Sequence, residues 1–394
     1  MTRSAVRSTL PPLSPEERRH SETIAALIRS ELADRGGWLS FERFMELALY
    51  APGLGYYSAG SAKLGVGGDF VTAPEVSELF GRCLAAQCAA ILAATGGEIL
   101  ELGAGTGALA AALLPALAAH GVLPERYAIL EVSADLAARQ RARLASLAPA
   151  LRERVVWLER LPEPALAGVI LANEVADALP CRRFTVRGDR VEELGVAVGA
   201  DGSFVCAEAP SDAALAAACT ALRGTLRESL PEGYTSELCL RLEPWIASLG
   251  DCLARGVLLL IDYGLPRAHY YHPQRHAGTL RCHFRQRAHD DPFINVGVQD
   301  ITAWVDFTRA AEAGHAVGLE LAGFTTQAAF LLALGLERSV AQAPDAVTRA
   351  RLAGEARRLV MPEEMGEAFK VMALARGLDA PLAGFSLRDL RHSL

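Results

Sequence analysis

Apolar residues recur at helical spacing through Ile24, Leu27, Ile28 and Leu32, behind a Ser14-Pro-Glu-Glu start. That pattern predicts a helix from Pro15 to about Ala33. Ser40 predicts the cap of a second helix, with Phe41, Phe44, Leu47 and Ala48 inward. Tyr50 to Tyr57 and Gly65 to Pro74 carry loop chemistry, and Glu75 to Ala94 resumes a helix. From residue 98 the pattern changes. Short apolar runs at 98–102, 127–132, 155–158, 168–172 and 257–262 predict strands separated by helical stretches. This is the alternation of a parallel sheet with helices on both faces. Stretches near 319–327 and 364–376 suit the last strands. Between Phe184 and Val205 polar and apolar residues alternate, broken by the hairpin signals Gly188-Asp189 and Asp201-Gly202.

The expected fold class is therefore α/β, a Rossmann-like sheet. A helical region with a Gly-rich loop covers 1–95, and the core covers 96–180 and 241–394. A β-rich insertion is expected at 181–240. Residues 264–300, rich in His, Arg and Tyr, are expected to form a substrate-covering loop.

Composition narrows this picture. A chain of 394 residues with 51% hydrophobic and 22% charged content buries a large core. A net charge of −7 argues against a non-specific nucleic-acid binder. Lys63 and Lys370 are the only lysines, and with the many alanines this suggests a GC-rich bacterial genome. Eight scattered cysteines without a Cys-x-x-Cys pair imply reduced thiols in a cytosolic protein. No run approaches the roughly 18 uninterrupted apolar residues of a membrane helix, so no membrane insertion is expected. The first twelve residues lack the apolar region of a secretory signal. A short tail is expected there; the remnant of a transit peptide is the alternative. His269, His272 and His276 match no common zinc spacing, and no metal site is expected. The Leu/Ala-rich stretch at 328–336 reads as a buried helix, with a dimer surface as the alternative.

The candidate chemistry begins at Glu98-Ile-Leu-Glu-Leu-Gly-Ala-Gly-Thr-Gly-Ala-Leu-Ala110. A buried strand, a tight glycine turn and a helix start form a nucleoside site. Gly103-x-Gly105-x-x-Ala108 fits the relaxed dinucleotide fingerprint. Glu101-x-Gly103-x-Gly105-x-Gly107 equally fits an S-adenosylmethionine site, with Glu101 able to meet the ammonium of the methionine moiety. Glu131, ending the second strand, suits the ribose hydroxyls under either reading, and Glu159 is a candidate for the adenine amino group. Glu131 lies further along than a dehydrogenase acid about 20 residues on. The deciding segment is Leu171-Ala-Asn-Glu-Val-Ala-Asp-Ala-Leu-Pro180, at the carboxyl end of the fourth strand. Asn173, Glu174 and Asp177 reach toward the reacting centre there, which a methyl acceptor needs and a dinucleotide does not. The ordinary alternative is that Asp177 caps a helix and Glu174 bonds backbone amides.

At this point the chain resembles the MidA-type methyltransferases, whose mitochondrial members assist assembly of respiratory complex I. The family's Asn-Glu-x-x-Asp-Ala-Leu-Pro stands as Asn173 to Pro180, and its Gly-Asp-Phe-x-Thr-x-Pro-Glu as Gly68 to Glu75. Its Gly-x-Leu-x-x-Ile-Asp-Tyr-Gly is Gly256 to Gly264. Gly278-Thr-Leu-Arg, Asp291-Pro and Gln299 to Phe307 also match in order, so the resemblance spans about 14–376. The family often has aromatic residues where this chain has Val175 and Ala176, a smaller pair expected to widen the pocket.

The resemblance implies a class I methyltransferase using S-adenosylmethionine, with a protein arginine as acceptor in the mitochondrial members. Glu174 and Asp177 are then the catalytic candidates, with Asn173 orienting the substrate. Asp69, Thr72 and Glu75 are candidates to close over the methionine end. Asp262 and Tyr263 end the fifth strand beside the acceptor site, where Tyr263 is equally a packing residue. Arg281, His283 and Arg285 are candidates to meet an acidic partner surface, or are solvated loop charges. A cytoplasmic location is expected for a bacterial chain and the mitochondrial matrix for a eukaryotic one. An assembly factor working by binding alone, and a methyltransferase of a small molecule, remain alternatives.

Overall fold

The computed structural model describes residues 10–59, 71–163 and 165–394. Its central sheet holds seven main strands: β1 (Glu98–Leu102), β2 (Tyr127–Leu130), β3 (Val155–Leu158), β4 (Leu166–Asn173), β5 (Leu253–Leu265), β6 (Glu320–Thr326) and β7 (Phe369–Arg376). They lie in the order β6-β7-β5-β4-β1-β2-β3, and the short strand Val305–Asp306 joins the end of β5. β1 to β5 run parallel. β7 is antiparallel to both of its neighbours.

β4 and β5 read as nearly unbroken apolar runs because helices cover both faces of the sheet. On one face Ile99, Val169, Leu171, Val257 and Leu259 pack with the helices Glu78–Thr95 and Ala108–Ala119. On the other, Leu100, Ile170, Leu258 and Leu260 meet the helices Leu242–Asp251 and Phe307–Ala316. The two sets alternate along each strand, as the pleat requires. Helix Glu78–Thr95 is long and apolar enough to cross a membrane by length and composition, yet most of it is buried in this core.

The chain leaves β1 toward β2 and β3, then returns to the other side of β1 as β4. That reversal opens a crevice at the carboxyl ends of β1 and β4, where open α/β sheets hold their ligands.

Ser14 and Ser40 cap the helices Pro15–Asp34 and Phe41–Tyr50. Their apolar faces pack on Cys181, Val196, Phe204, Leu280 and Ile301, tying the N-terminal region to residues far along the chain. Strands Arg182–Arg187, Arg190–Val198, Phe204–Pro210 and Thr235–Leu238 form a second sheet, to which Leu39–Ser40 adds an edge.

The sequence reading differs from the structure at two places. Residues 264–300 are folded rather than a loop: a helical turn at Arg267–Tyr270 precedes a hairpin, Arg281–Phe284 with Arg287–His289, extended by Asp300–Thr302. Charged residues masked the alternation of Leu280, Cys282 and Phe284, all of which are buried. The helix expected from Glu75 is broken, because Ser77 turns extended and caps Glu78–Thr95. At 328–336 the buried-helix reading holds: no residue is exposed, and Phe330 and Leu331 of the helix Gln327–Ala333 lie in the core.

Candidate active site

Gly103, Gly105 and Gly107 all adopt positive φ, at 58°, 53° and 83°, as the chain turns from β1 into helix Ala108–Ala119. L-residues with a Cβ avoid that region. A Cβ at Gly103 would also sit 3.2 Å from Val175, and one at Gly107 would sit 3.4 Å from Gln140. The turn therefore brings bare backbone up to the crevice.

Glu101 is buried, and its Oε2 accepts the Tyr127 hydroxyl at 2.7 Å. Burial pushes its carboxyl up to about 7, against the Tyr127 bond that favours the charged form. Glu131 lies one strand over, where its oxygens accept the Ser133 N–H at 2.8 Å and the Gln140 side-chain amide at 2.9 Å. Burial raises its carboxyl too. Glu159, one residue past β3, is exposed and has no partner among the described residues.

Two residues of this half escaped the sequence reading. Gln140 donates to the Gly105 carbonyl and to Glu131, both at 2.9 Å, while its oxygen accepts from Trp157. It is fully buried and locks the glycine turn to the acid of β2. A lone Gln on a polar helix carries no sequence signal. Val132 is 82% exposed at the carboxyl end of β2, and its place directly after Glu131 was the available cue.

Thr72 and Glu75 arrive from the N-terminal side. The Thr72 carbonyl accepts from the amides of Glu75 and Val76, starting the short helix Ala73–Val76. Glu75 reaches the glycine turn through the Thr106 hydroxyl and pairs with Arg143 at 2.6 Å. Burial raises the Glu75 carboxyl, but Arg143 and Thr106 outweigh it and hold it below its ordinary value. Gly68, Asp69 and Phe70 lie outside the described residues.

Across the crevice, β4 ends at Asn173 and the chain turns sharply. Glu174 has φ 54°, a left-handed conformation unusual for a residue with a side chain. Strain of about 1–3 kcal/mol persists only where the surroundings enforce it. Here the Glu174 N–H bonds the Ile261 carbonyl, and its Oε1 accepts from Ala73 N–H at 3.1 Å and Asn173 at 3.2 Å. Burial pushes the Glu174 carboxyl up to about 8, with the charges of Asp262 and Asp300 adding to it.

Asp177 is buried within a helical turn at Ala176–Ala178 and caps no longer helix. Burial, then Asp262, Asp300 and Glu174, hold its carboxyl well above the ordinary range. Among the described residues, no Arg or Lys forms an ion pair with Glu174, Asp177 or Asp262. Asp300 and the hydroxyl-bearing Tyr57, 2.9 Å apart, complete the group from two distant segments. Ala176 lines a cavity with Leu179, Cys181 and Cys239.

A sheet with a reversed last strand, a glycine turn at its switch point and an acid ending β2 define an S-adenosylmethionine-dependent methyltransferase of Rossmann-like fold. Residues 83–325 match the profile of a family of such methyltransferases, and the chain belongs to that family. Two crystal structures of Burkholderia thailandensis relatives are 44% identical and cover 98% of this chain and 100% of their own, with TM-scores of 0.93 and 0.90. The first of them is bound to S-adenosyl-homocysteine. Among curated proteins, the mitochondrial protein arginine methyltransferase NDUFAF7 of Danio rerio is 27% identical over 86% of this chain and 83% of its own length. The Mus musculus counterpart is 29% identical over 86% and 81%. The MidA-type resemblance is thereby established, and the cofactor is S-adenosylmethionine.

Proposed function

We propose that this methyltransferase modifies an arginine side chain of a partner protein. One observation carries the reading: Glu174 and Asp177 stand together at the crevice edge, in a group of carboxylates without an ion-pairing Arg or Lys among the described residues. Carboxyl groups buried this close together resist ionising, and a cation beside them would favour their charged forms. A guanidinium suits them, because its fork of N–H donors matches carboxylate oxygens. The names of the curated relatives support the same acceptor.

On the cofactor side, the positive-φ glycines and buried acids fit S-adenosylmethionine. Gly103, Gly105 and Gly107 would admit its methionine end, with Glu101 toward the ammonium and Thr72 and Glu75 closing over it. Glu131 would take the ribose, Val132 the adenine face and Glu159 the adenine amino group. When bound, this group would supply an electrophilic methyl, the methyl–sulfur bond breaking to leave S-adenosyl-homocysteine.

The chain's own residues do the rest. Arginine is almost fully protonated in water and a poor nucleophile. Asn173 and Glu174 grip the guanidinium, confining its charge to the nitrogens away from the attacking one. Asp177 accepts the proton that nitrogen gives up as its bond to the methyl carbon forms. Fixed alignment of the attacking nitrogen supplies much of the rate. The complex I subunit of the resembled family is the kind of partner implied. The cytoplasm is the compartment that the sequence features favour.

Chemical blocking tests the acceptor. Cell-extract proteins treated with a dicarbonyl reagent that caps arginine will no longer take up labelled methyl from this enzyme. Extract acylated on lysine will keep accepting it. The reverse pattern overturns the arginine reading.

A further inference from the structure

Asp262, near the end of β5, is completely buried and stands behind the acceptor turn. Its Oδ2 accepts three successive backbone amides, from Val175 at 3.2 Å, Ala176 at 2.9 Å and Asp177 at 3.2 Å. Its Oδ1 accepts the Tyr263 amide at 2.8 Å. Three consecutive N–H groups converging on one point form an anion nest. An acid inside such a turn ordinarily fills the nest itself. Here a carboxylate from the neighbouring strand fills it, and the Asp177 carboxylate takes none of those three amides.

We propose that Asp262 is a positioning residue for methyl transfer, holding the 173–178 turn so that Glu174 and Asp177 stay available to the acceptor. This rests on the acceptor reading above. Two effects follow from one buried group. Its hydrogen bonds secure the turn in which Glu174 adopts φ 54°. Burial raises its own carboxyl to about 7, and above that its charge keeps the working carboxylates proton-accepting.

The groups facing those carboxylates come from every element around them. Asp262 lies on β5 and Asp300 on the strand Asp300–Thr302; Asn173 and the Ala73 amide bond Glu174 directly. Tyr50, Tyr57 and Tyr263 surround them as neutral hydroxyls, each held protonated chiefly by burial. Removing the Asp262 charge therefore leaves Glu174 a weaker base, while removing its oxygens releases the turn.

Two variants of the full chain, studied with S-adenosyl-homocysteine bound, separate these effects. Asp262→Asn keeps an oxygen for the nest and loses the charge. Asp262→Ala loses both. Carboxyl-carbon NMR, with Glu174 assigned through Glu174→Gln, will show its titration midpoint falling by about one pH unit in Asp262→Asn. Calorimetry will show S-adenosyl-homocysteine affinity within about twofold of wild type in both variants, about 0.4 kcal/mol or less. Label transfer to extract protein will fall more than about tenfold in Asp262→Ala.

An unmoved Glu174 midpoint in Asp262→Asn overturns the proposal. So does a loss of cofactor affinity that matches the loss of transfer, the signature of a merely structural role. If Asp262→Ala does not fold, the titration of Asp262→Asn decides alone. If wild type labels no protein, the acceptor reading fails, and the same titration still decides for Asp262.

Discussion

The Glu174 carboxylate accepts the backbone N–H of Ala73 at 3.1 Å, joining two parts of the site that lie 101 residues apart in sequence. Two residues further, Glu75 engages Thr106 and Arg143 beside the glycine turn. The segment from Thr72 to Ser77 thus spans both halves of the crevice. It touches the glycine turn with one acid and the turn after β4 with one amide.

Asp177→Asn will reduce methyl transfer by roughly 10²–10⁴-fold, the usual worth of a positioned proton acceptor, and Glu174→Gln will also reduce it, by loosening the grip on the guanidinium. Calorimetric affinity for S-adenosyl-homocysteine will stay within about twofold, because neither side chain belongs to the glycine turn. Equal loss of both properties would place these residues in cofactor binding instead.

Gly103→Ala will weaken S-adenosyl-homocysteine binding. Alanine at φ 58° costs about 1–2 kcal/mol, and its Cβ would lie 3.2 Å from Val175. A fall in affinity of about tenfold, measured by calorimetry, is the expected result. The overall fold will survive, since the turn lies at the crevice and not in the core.

Gln140→Leu strands the Trp157 N–H and removes the donor shared by Gly105 and Glu131. Each buried group left unpaired costs about 1–3 kcal/mol. The melting temperature will fall by several degrees, as roughly 1 kcal/mol moves it by a few degrees in a chain this long. Cofactor affinity will fall with it. A variant that melts like wild type would show that Gln140 carries no strain-bearing link.

Stability will respond to pH through Glu174. Burial pushes its folded carboxyl up to about 8, well above the ordinary carboxylate range, so the folded state holds a proton that the unfolded state releases. The stabilisation is complete below about 4.5 and is lost as pH rises toward 8. Glu174→Gln mimics the protonated form and escapes that loss. Melting curves will therefore show the variant gaining on wild type as pH rises from about 5 to 8.

The core sheet was legible because burial on both faces forces unbroken apolar runs such as Val257 to Ile261. The turn at Gly103 to Gly107 was legible because only glycine relieves its backbone. The places of Glu174 and Asp177 were legible, just past a strand whose carboxyl end borders the crevice. Asp262 stood out at its strand end, but its hold on three amides of another element leaves no trace in spacing. Gln140 was invisible for the same reason: its role is a bond to Gly105, 35 residues earlier. The hairpin at 281–289 was missed because Arg281, His283 and Arg285 gave the stretch the look of a loop.

Mass spectrometry of the labelled residue tests the central claim most directly. Wild-type protein, methyl-labelled S-adenosylmethionine and a cell extract are incubated beside the Glu174→Gln, Asp177→Asn double variant. The predicted result is label on an arginine of an extract protein with wild type, and none with the variant. Label confined to a small metabolite, or arginine label undiminished in the double variant, would contradict the account.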